Sequence, residues 1–248
     1  MEINQRTIGI GIAAVVVAIM VVAMVPTVSA VPSGATTDVG VDETHTEAVS
    51  GTDNAIGGYI TEVNISITQQ TDKWQGYYGN VSGEIALRDA GTNVMINWTI
   101  GEVTGPLGEV YATTDTGPTW TGFTEDAVLA NVSTHFGLGT AASVADGSED
   151  TFKDVNHAAF DLSGTSVAVG TGQCAKTWGA IADQWETVIL GNGEDAATDD
   201  YIFVGIIELD QSSFKSQTAA DTCDFQMIVP EDPTTGSQNT YYFYVEVT

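Results

Sequence analysis

Apolar and polar residues alternate with a period of two along several separate stretches of this chain, which predicts β-strands with one face in and one face out. The clearest case is 57–100, where Val63, Ile65 and Ile67 fall on one side of an extended segment and Asn64, Ser66 and Thr68 on the other. Val94, Ile96, Trp98 and Ile100 repeat that period. Between Leu87 and Val94, Asp89-Ala90-Gly91-Thr92-Asn93 has the length and composition that reverses a chain into an antiparallel partner. The stretch reads as a β-meander crossed by the aromatic, glycine-rich run Trp74-Gln75-Gly76-Tyr77-Tyr78-Gly79. The rest of the chain is expected to be organised around it.

Further strands are expected at Leu107–Thr113 and Thr119–Phe123, set off by the turn signals Gly105-Pro106 and Gly117-Pro118. Thr124 is positioned to cap a short helix through Glu125, Asp126 and Ala127–Ala130, and one more helical turn is expected near Ser148–Val155. Beyond it, Phe160–Val169, Trp185–Leu190, Tyr201–Leu209, Cys223–Val229 and Tyr241–Val247 carry the β signal again. The run YIFVGIIEL at 201–209 is apolar on both faces, as suits a central strand covered on each side. Many short strands with little helix predict an all-β chain, an antiparallel β-sandwich or jelly-roll-like body over 57–248 with one or two short helices.

Two segments precede that body. Residues 1–30 hold an uncharged apolar run, Ile8–Val25, followed by Pro26 and Val28-Ser29-Ala30, a small-x-small pattern suited to cleavage after Ala30. The segment is expected to be a signal peptide or a membrane anchor helix, since a span needs roughly 18 to 25 apolar residues and residues 8–25 reach the lower edge of that window. Both readings export the remainder. Residues 31–56 are rich in Thr, Asp, Gly and Ser and cannot bury enough apolar surface to fold alone. They read as a flexible acidic arm that would extend on the order of 80 Å.

Charge narrows the partners. The formal net charge is −27, and residues 31–248 carry all of it because Glu2 and Arg6 cancel in the segment before them. So acidic a chain is excluded from nucleic-acid backbones, whose binding requires Lys and Arg, and is repelled by acidic membranes. Contact with a membrane is expected only through residues 8–25, if they are retained. Self-association, other cell-surface proteins, concentrated salt and divalent cations suit such a surface.

Cys174 and Cys223 are the two cysteines, and an even pair in an exported chain predicts a disulfide that would add roughly 4 kcal/mol by constraining the unfolded chain. Asn64-Ile65-Ser66, Asn80-Val81-Ser82, Asn97-Trp98-Thr99 and Asn131-Val132-Ser133 match the acceptor pattern for N-glycosylation. Calcium is the cofactor that the acidic loops would suit. Asp146, Glu149, Asp150 and Asp154 form one group of hard oxygen ligands, and Glu194, Asp195, Asp199 and Asp200 another, although neither follows the EF-hand order. Trp74, Tyr77 and Tyr78 read either as a platform for sugar rings or as core. Motifs for catalysis are missing: there is no HExxH, no GxSxG elbow and no phosphate loop. The chain is not expected to be an enzyme, and an extracellular hydrolase would need two carboxylates facing each other across a cleft.

The segment TDKWQGYYGNVSGEIALRDAGTNVMINWT at 71–99, with DFQMIVP at 224–230 and TYYFYVEV at 240–247, resembles a group of archaeal exported surface proteins. Archaeal surface proteins of similar build include filament subunits in which a strand of one subunit completes the sheet of the next. The resemblance implies an extracellular, cell-surface structural protein, a subunit of a filament or surface layer assembling by β-strand addition. It carries no catalytic residues. The second expectation is a tethered or secreted binding module for glycans or another surface protein.

Overall fold

The computed structural model describes residues 31–46, 49–99, 108–125, 127–139, 144–170, 172–179, 185–193, 200–217, 221–232 and 238–247. The expected signal or anchor segment at 1–30 lies outside them. The first half carries β1 (Ser33–Gly34), β2 (Trp74–Gly79), β3 (Glu84–Arg88), β4 (Val94–Thr99) and β5 (Gly108–Thr113), then the short helices α1 (Leu129–His135) and α2 (Ser148–Thr151). The second half carries β6 (Phe160–Leu162), β7 (Thr165–Val167), β8 (Gln173–Thr177), β9 (Trp185–Gly191), β10 (Tyr201–Ile206), β11 (Gln211–Ser212), β12 (Thr222–Cys223), β13 (Phe225–Pro230) and β14 (Tyr242–Val247). The fold is mostly antiparallel β with little helix, as the alternation predicts.

A six-stranded sheet in the order β1-β14-β5-β10-β9-β8 forms the body. In β10, Tyr201 and Phe203 face one side while Ile202, Val204 and Ile206 face the other, and all are buried. That two-sided burial is what the uninterrupted apolar run predicted. On the first side, Phe203, Ile189, Val110 and Ala112 meet Met227 and Val229 of β13, with Val132, Phe136 and Phe152 from the helical segments. On the second, Tyr111, Val188, Leu190 and Val204 meet Phe160, Leu162 and Val167 of the β6–β7 hairpin. Gly205 makes the close crossing of β13 possible, since a Cβ there would meet the Gln226 carbonyl oxygen at 3.3 Å.

The meander does not form as a unit. β2 pairs with β13, which lies about 150 residues away in sequence, with Gly76 opposite Ile228 and Trp74 opposite Pro230. β3 and β4 make a separate two-stranded hairpin. The body is built instead around β5, β9 and β10, because those strands are apolar on both faces and the meander strands on one. Several boundaries also shift. Thr119–Phe123 is not a strand; its Trp120 and Phe123 pack under the second face. Thr124 does not cap a helix, because its backbone exchanges hydrogen bonds with Gly191 at 2.8 and 3.0 Å, and α1 starts only after Val128. The expected strand over 160–169 is folded on itself: Ser163 and Gly164 both take positive φ, 48° and 82°, the geometry of a two-residue hairpin turn.

Candidate functional site

Residues 59–70 are extended, belong to no strand and make no turn. Every side chain in the segment is exposed, including the alternating Val63, Ile65 (87%) and Ile67 (83%). The hairpin that follows is amphipathic. The pairs Ile85–Trp98 and Leu87–Ile96 put large apolar groups on one face, while Glu84, Arg88 and Asn97 join by an ion pair and a hydrogen bond on the other. Its turn is locked by Asp89, whose carboxylate accepts from the Gly91 and Asn93 backbones and from Asn93 Nδ2, the last of which holds the acid below its ordinary range. Each of Ile85, Leu87, Val94, Ile96 and Trp98 remains about half exposed, which is unusual for an amphipathic hairpin.

The chain between these exposed pieces is firmly fixed. Asp146 accepts from Thr71 Oγ1 at 2.9 Å and from Lys73 Nζ at 2.6 Å, and its carbonyl accepts from Trp74 Nε1 at 2.7 Å. The Lys73 hydrogen bond holds the Asp146 carboxyl below its ordinary range. At the far end of β2, Asp224 is buried with both carboxylate oxygens used, one by Val81 N–H at 2.8 Å and one by Asp210 N–H at 2.9 Å. So β2 enters and leaves its ladder through two aspartates that belong to distant parts of the chain.

Beside β2 runs a groove of about 690 Å³, bounded on its other side by residues 39–45 of the arm. Trp74, Tyr77, Tyr78, Phe214 and Ile228 supply its apolar lining. The arm is held at the groove's rim by an ion pair of 2.8 Å between Glu43 and Lys215. Lys215 also sits 5.2 Å from the centre of the Tyr78 ring, and the Glu43 hydrogen bond, followed by that with Tyr78, raises its pKa above the ordinary lysine value. Of the three expected platform aromatics, Trp74 and Tyr77 pack into the first core, against Phe152 and Phe243 respectively. Only Tyr78 is exposed, at 42%, with Phe214 edge-on at 4.9 Å.

The other expected sites separate. Asp146 is engaged as described; Asp150 pairs with Lys153 at 3.1 Å; Glu149 meets Ser133 and Ser148; and Asp154 accepts from Asn156 N–H at 2.9 Å. Among the described residues no three His, Cys, Asp or Glu side chains come together as a metal site. Glu194, Asp195 and Asp199 lie outside the described residues, and Asp200 is exposed. The expected disulfide is not formed: Cys174 and Cys223 are both buried, unbridged thiols. Cys174 packs on the second face with Val188, whereas Cys223 sits in the short β11–β12 ladder opposite Gln211. Burial pushes the Cys174 thiol up to about 11 and raises that of Cys223. Asn64, Asn80 and Asn97 are exposed, while Asn131 is half-buried on α1 and its sequon serine, Ser133, is buried against Ser148.

Three buried polar side chains carry no motif in the sequence. His157 is pinned between the Ala158 carbonyl, which accepts from Nδ1 (2.8 Å), and Gly172 N–H, which donates to Nε2 (3.1 Å). Glu109 and Glu246 meet inside the sheet. Their signal was a lone acid inside each of two otherwise apolar strands, GEVYAT and YFYVEV. Comparisons with protein-family models, with curated proteins and with solved structures give no match for this chain.

Proposed function

We propose that this chain is an exported structural protein of a cell surface, a filament or surface-layer subunit that assembles by β-strand addition. In this reading the body is an antiparallel β-sandwich, with the β2–β13 pair stacked on the six-stranded sheet, and residues 57–99 are the part that reaches a neighbour. One observation carries it. Residues 60–68 carry the alternation of a half-buried strand yet lie extended and exposed, with no strand neighbour among the described residues. A sequence with that pattern stabilises a structure only where its apolar side is covered, and pairing as a strand with another copy would lay that side against the copy's apolar surface. The excess of 33 Asp and Glu over 6 Lys and Arg agrees with a protein that meets its own kind in salt, where repulsion is screened within roughly 10 Å.

Electron microscopy of the purified protein in concentrated salt, with and without calcium, tests this. Filaments or sheets are expected, and loss of them on removing residues 59–70 is expected as well. Dispersed particles under every condition would replace this reading with a tethered or secreted binding module presenting Tyr78 and Phe214.

A further inference from the structure

The groove beside β2 has the properties of a strand acceptor. Ile228 donates its N–H to Thr187 Oγ1 at 3.1 Å, away from β2, and Pro230 has no N–H to give. The pairs Gly76–Ile228 and Trp74–Pro230 are therefore of the non-hydrogen-bonded kind, while Lys73, one step outside, accepts from Glu231 N–H at 2.8 Å. By alternation, the backbone groups of Trp74, Gly76 and Tyr78 turn away from β13 and toward the groove. There the Gly76 carbonyl accepts from the Gln75 side-chain amide at 2.9 Å, and among the described residues β2 has no second strand neighbour.

Side chains repeat the message. Gly76 alternates along β2 with Trp74, which packs into the first core, and the exposed Tyr78, and it leaves a notch: a Cβ built on it meets nothing within 4 Å. An added strand with apolar residues at every second position would set one of them in that notch, flanked by aromatic surface. Residues 60–68 have that pattern, and they are the extended stretch of the described chain that is alternating, exposed and without a strand partner. Charge agrees. The segment 59–70 carries one formal charge, Glu62, in a protein of net −27, so it meets another copy with little charge repulsion.

The same chain cannot fill its own groove without breaking the clamp at Asp146. A fold-back onto β2 needs a reversal within 69–73, and Thr71, Lys73 and Trp74 are all bound to that aspartate. Resting on the assembly reading above, we infer that the open edge of β2 is the acceptor, and that residues 60–68 of a second copy of this chain pair with it in the groove, with Val63, Ile65 or Ile67 in the notch at Gly76.

Cysteine trapping of the full-length chain tests the inference. Val63→Cys, Ile65→Cys and Ile67→Cys proteins are each mixed with Gly76→Cys protein under mild oxidation in salt. At least one mixture is expected to give a reductant-sensitive species of twice the chain mass, several-fold above any single variant. Gly76→Pro provides the second arm, because it removes an outward N–H and leaves the β13 ladder intact: it is expected to melt like the parent and to lose assembly at least tenfold. A cross-link confined to monomer mass in the Ile65→Cys/Gly76→Cys double variant would overturn the inference in favour of a fold-back. Filaments that form with no cross-link and tolerate Gly76→Pro would overturn the acceptor while leaving the assembly reading intact. No assembly and no cross-link in any condition would overturn both.

Discussion

Glu109 and Glu246 stand directly opposite each other on β5 and β14, both side chains buried, and both reach the hydroxyl of Tyr111, at 3.3 and 3.1 Å. The same hydroxyl lies 3.0 Å from the Asp161 carbonyl, and Ser163 N–H donates to Glu246 at 3.0 Å. A phenol has one proton to give, and with both carboxylates ionised all three of its neighbours are acceptors. The arrangement balances when one carboxyl keeps its proton. Burial first, and the facing Glu246 second, push Glu109 up to about 8, so Glu109 is the acid and Glu246 the acceptor of the Ser163 N–H.

This fixes a sign for the pH dependence. Glu109 holds its proton in the folded chain up to about 8 and releases it near 4.5 when unfolded. Its contribution to stability is complete below about pH 4.5, declines as pH rises, and is gone above about pH 8, at a slope of up to about 1.4 kcal/mol per pH unit. Denaturant midpoints at pH 5, 6.5 and 8 are expected to show that slope as a difference between the parent and Glu109→Gln. Parallel curves for the two proteins would contradict the shared-proton arrangement.

Asp224→Ala is expected to destabilise the fold by roughly 2 to 4 kcal/mol, since it leaves the N–H groups of Val81 and Asp210 without their acceptor. Chemical denaturation of the variant measures this, and Asp224→Asn, which keeps one carbonyl oxygen, should recover part of the loss.

Gly108 opens β5 at a φ of +116°, and a Cβ there would lie 1.8 Å from the Glu246 carbonyl oxygen. Gly108→Ala must push β14 away from β5, at a cost of roughly 3 kcal/mol in strain and lost packing. Its melting temperature should fall by several degrees, whereas Gly76→Ala, which meets open space, should leave it nearly unchanged.

Cys174 and Cys223 are buried thiols on different elements. An alkylating reagent is expected to leave the native chain unmodified and to add two groups in denaturant without any reductant. An unreactive denatured chain would mean that a bridge forms after all.

The central strand and the all-β class were legible because burial on both sides leaves an unbroken apolar run, as at 201–209. Partnership was not. The alternation of Val63, Ile65 and Ile67 says that one side wants cover, and it is silent on whether the cover comes from the same chain. β2 looked like a meander strand because its nearest sequence neighbours are strands, while its actual partner β13 is selected by tertiary packing against Thr187 and Gly205. β1 and β8 were missed because Ser33–Gly34 and Gln173–Thr177 have little apolar content and form at the sheet's two edges. The cysteine pair misled for a similar reason: parity and compartment say nothing about whether two side chains meet.

β14 lies between β5 and β1, so residues 33–34, 108–113 and 242–247 must be side by side before the six-stranded sheet is complete. β5, β10, β9 and β8 pair with one another without β14, so a chain made from its N-terminus can hold those four strands while β1 still waits for its neighbour. Pairings of such sequence separation form late and slowly. The sheet's last seam is therefore closed by the part of the chain made latest, and residues 33–34 wait without a strand partner until β14 reaches them.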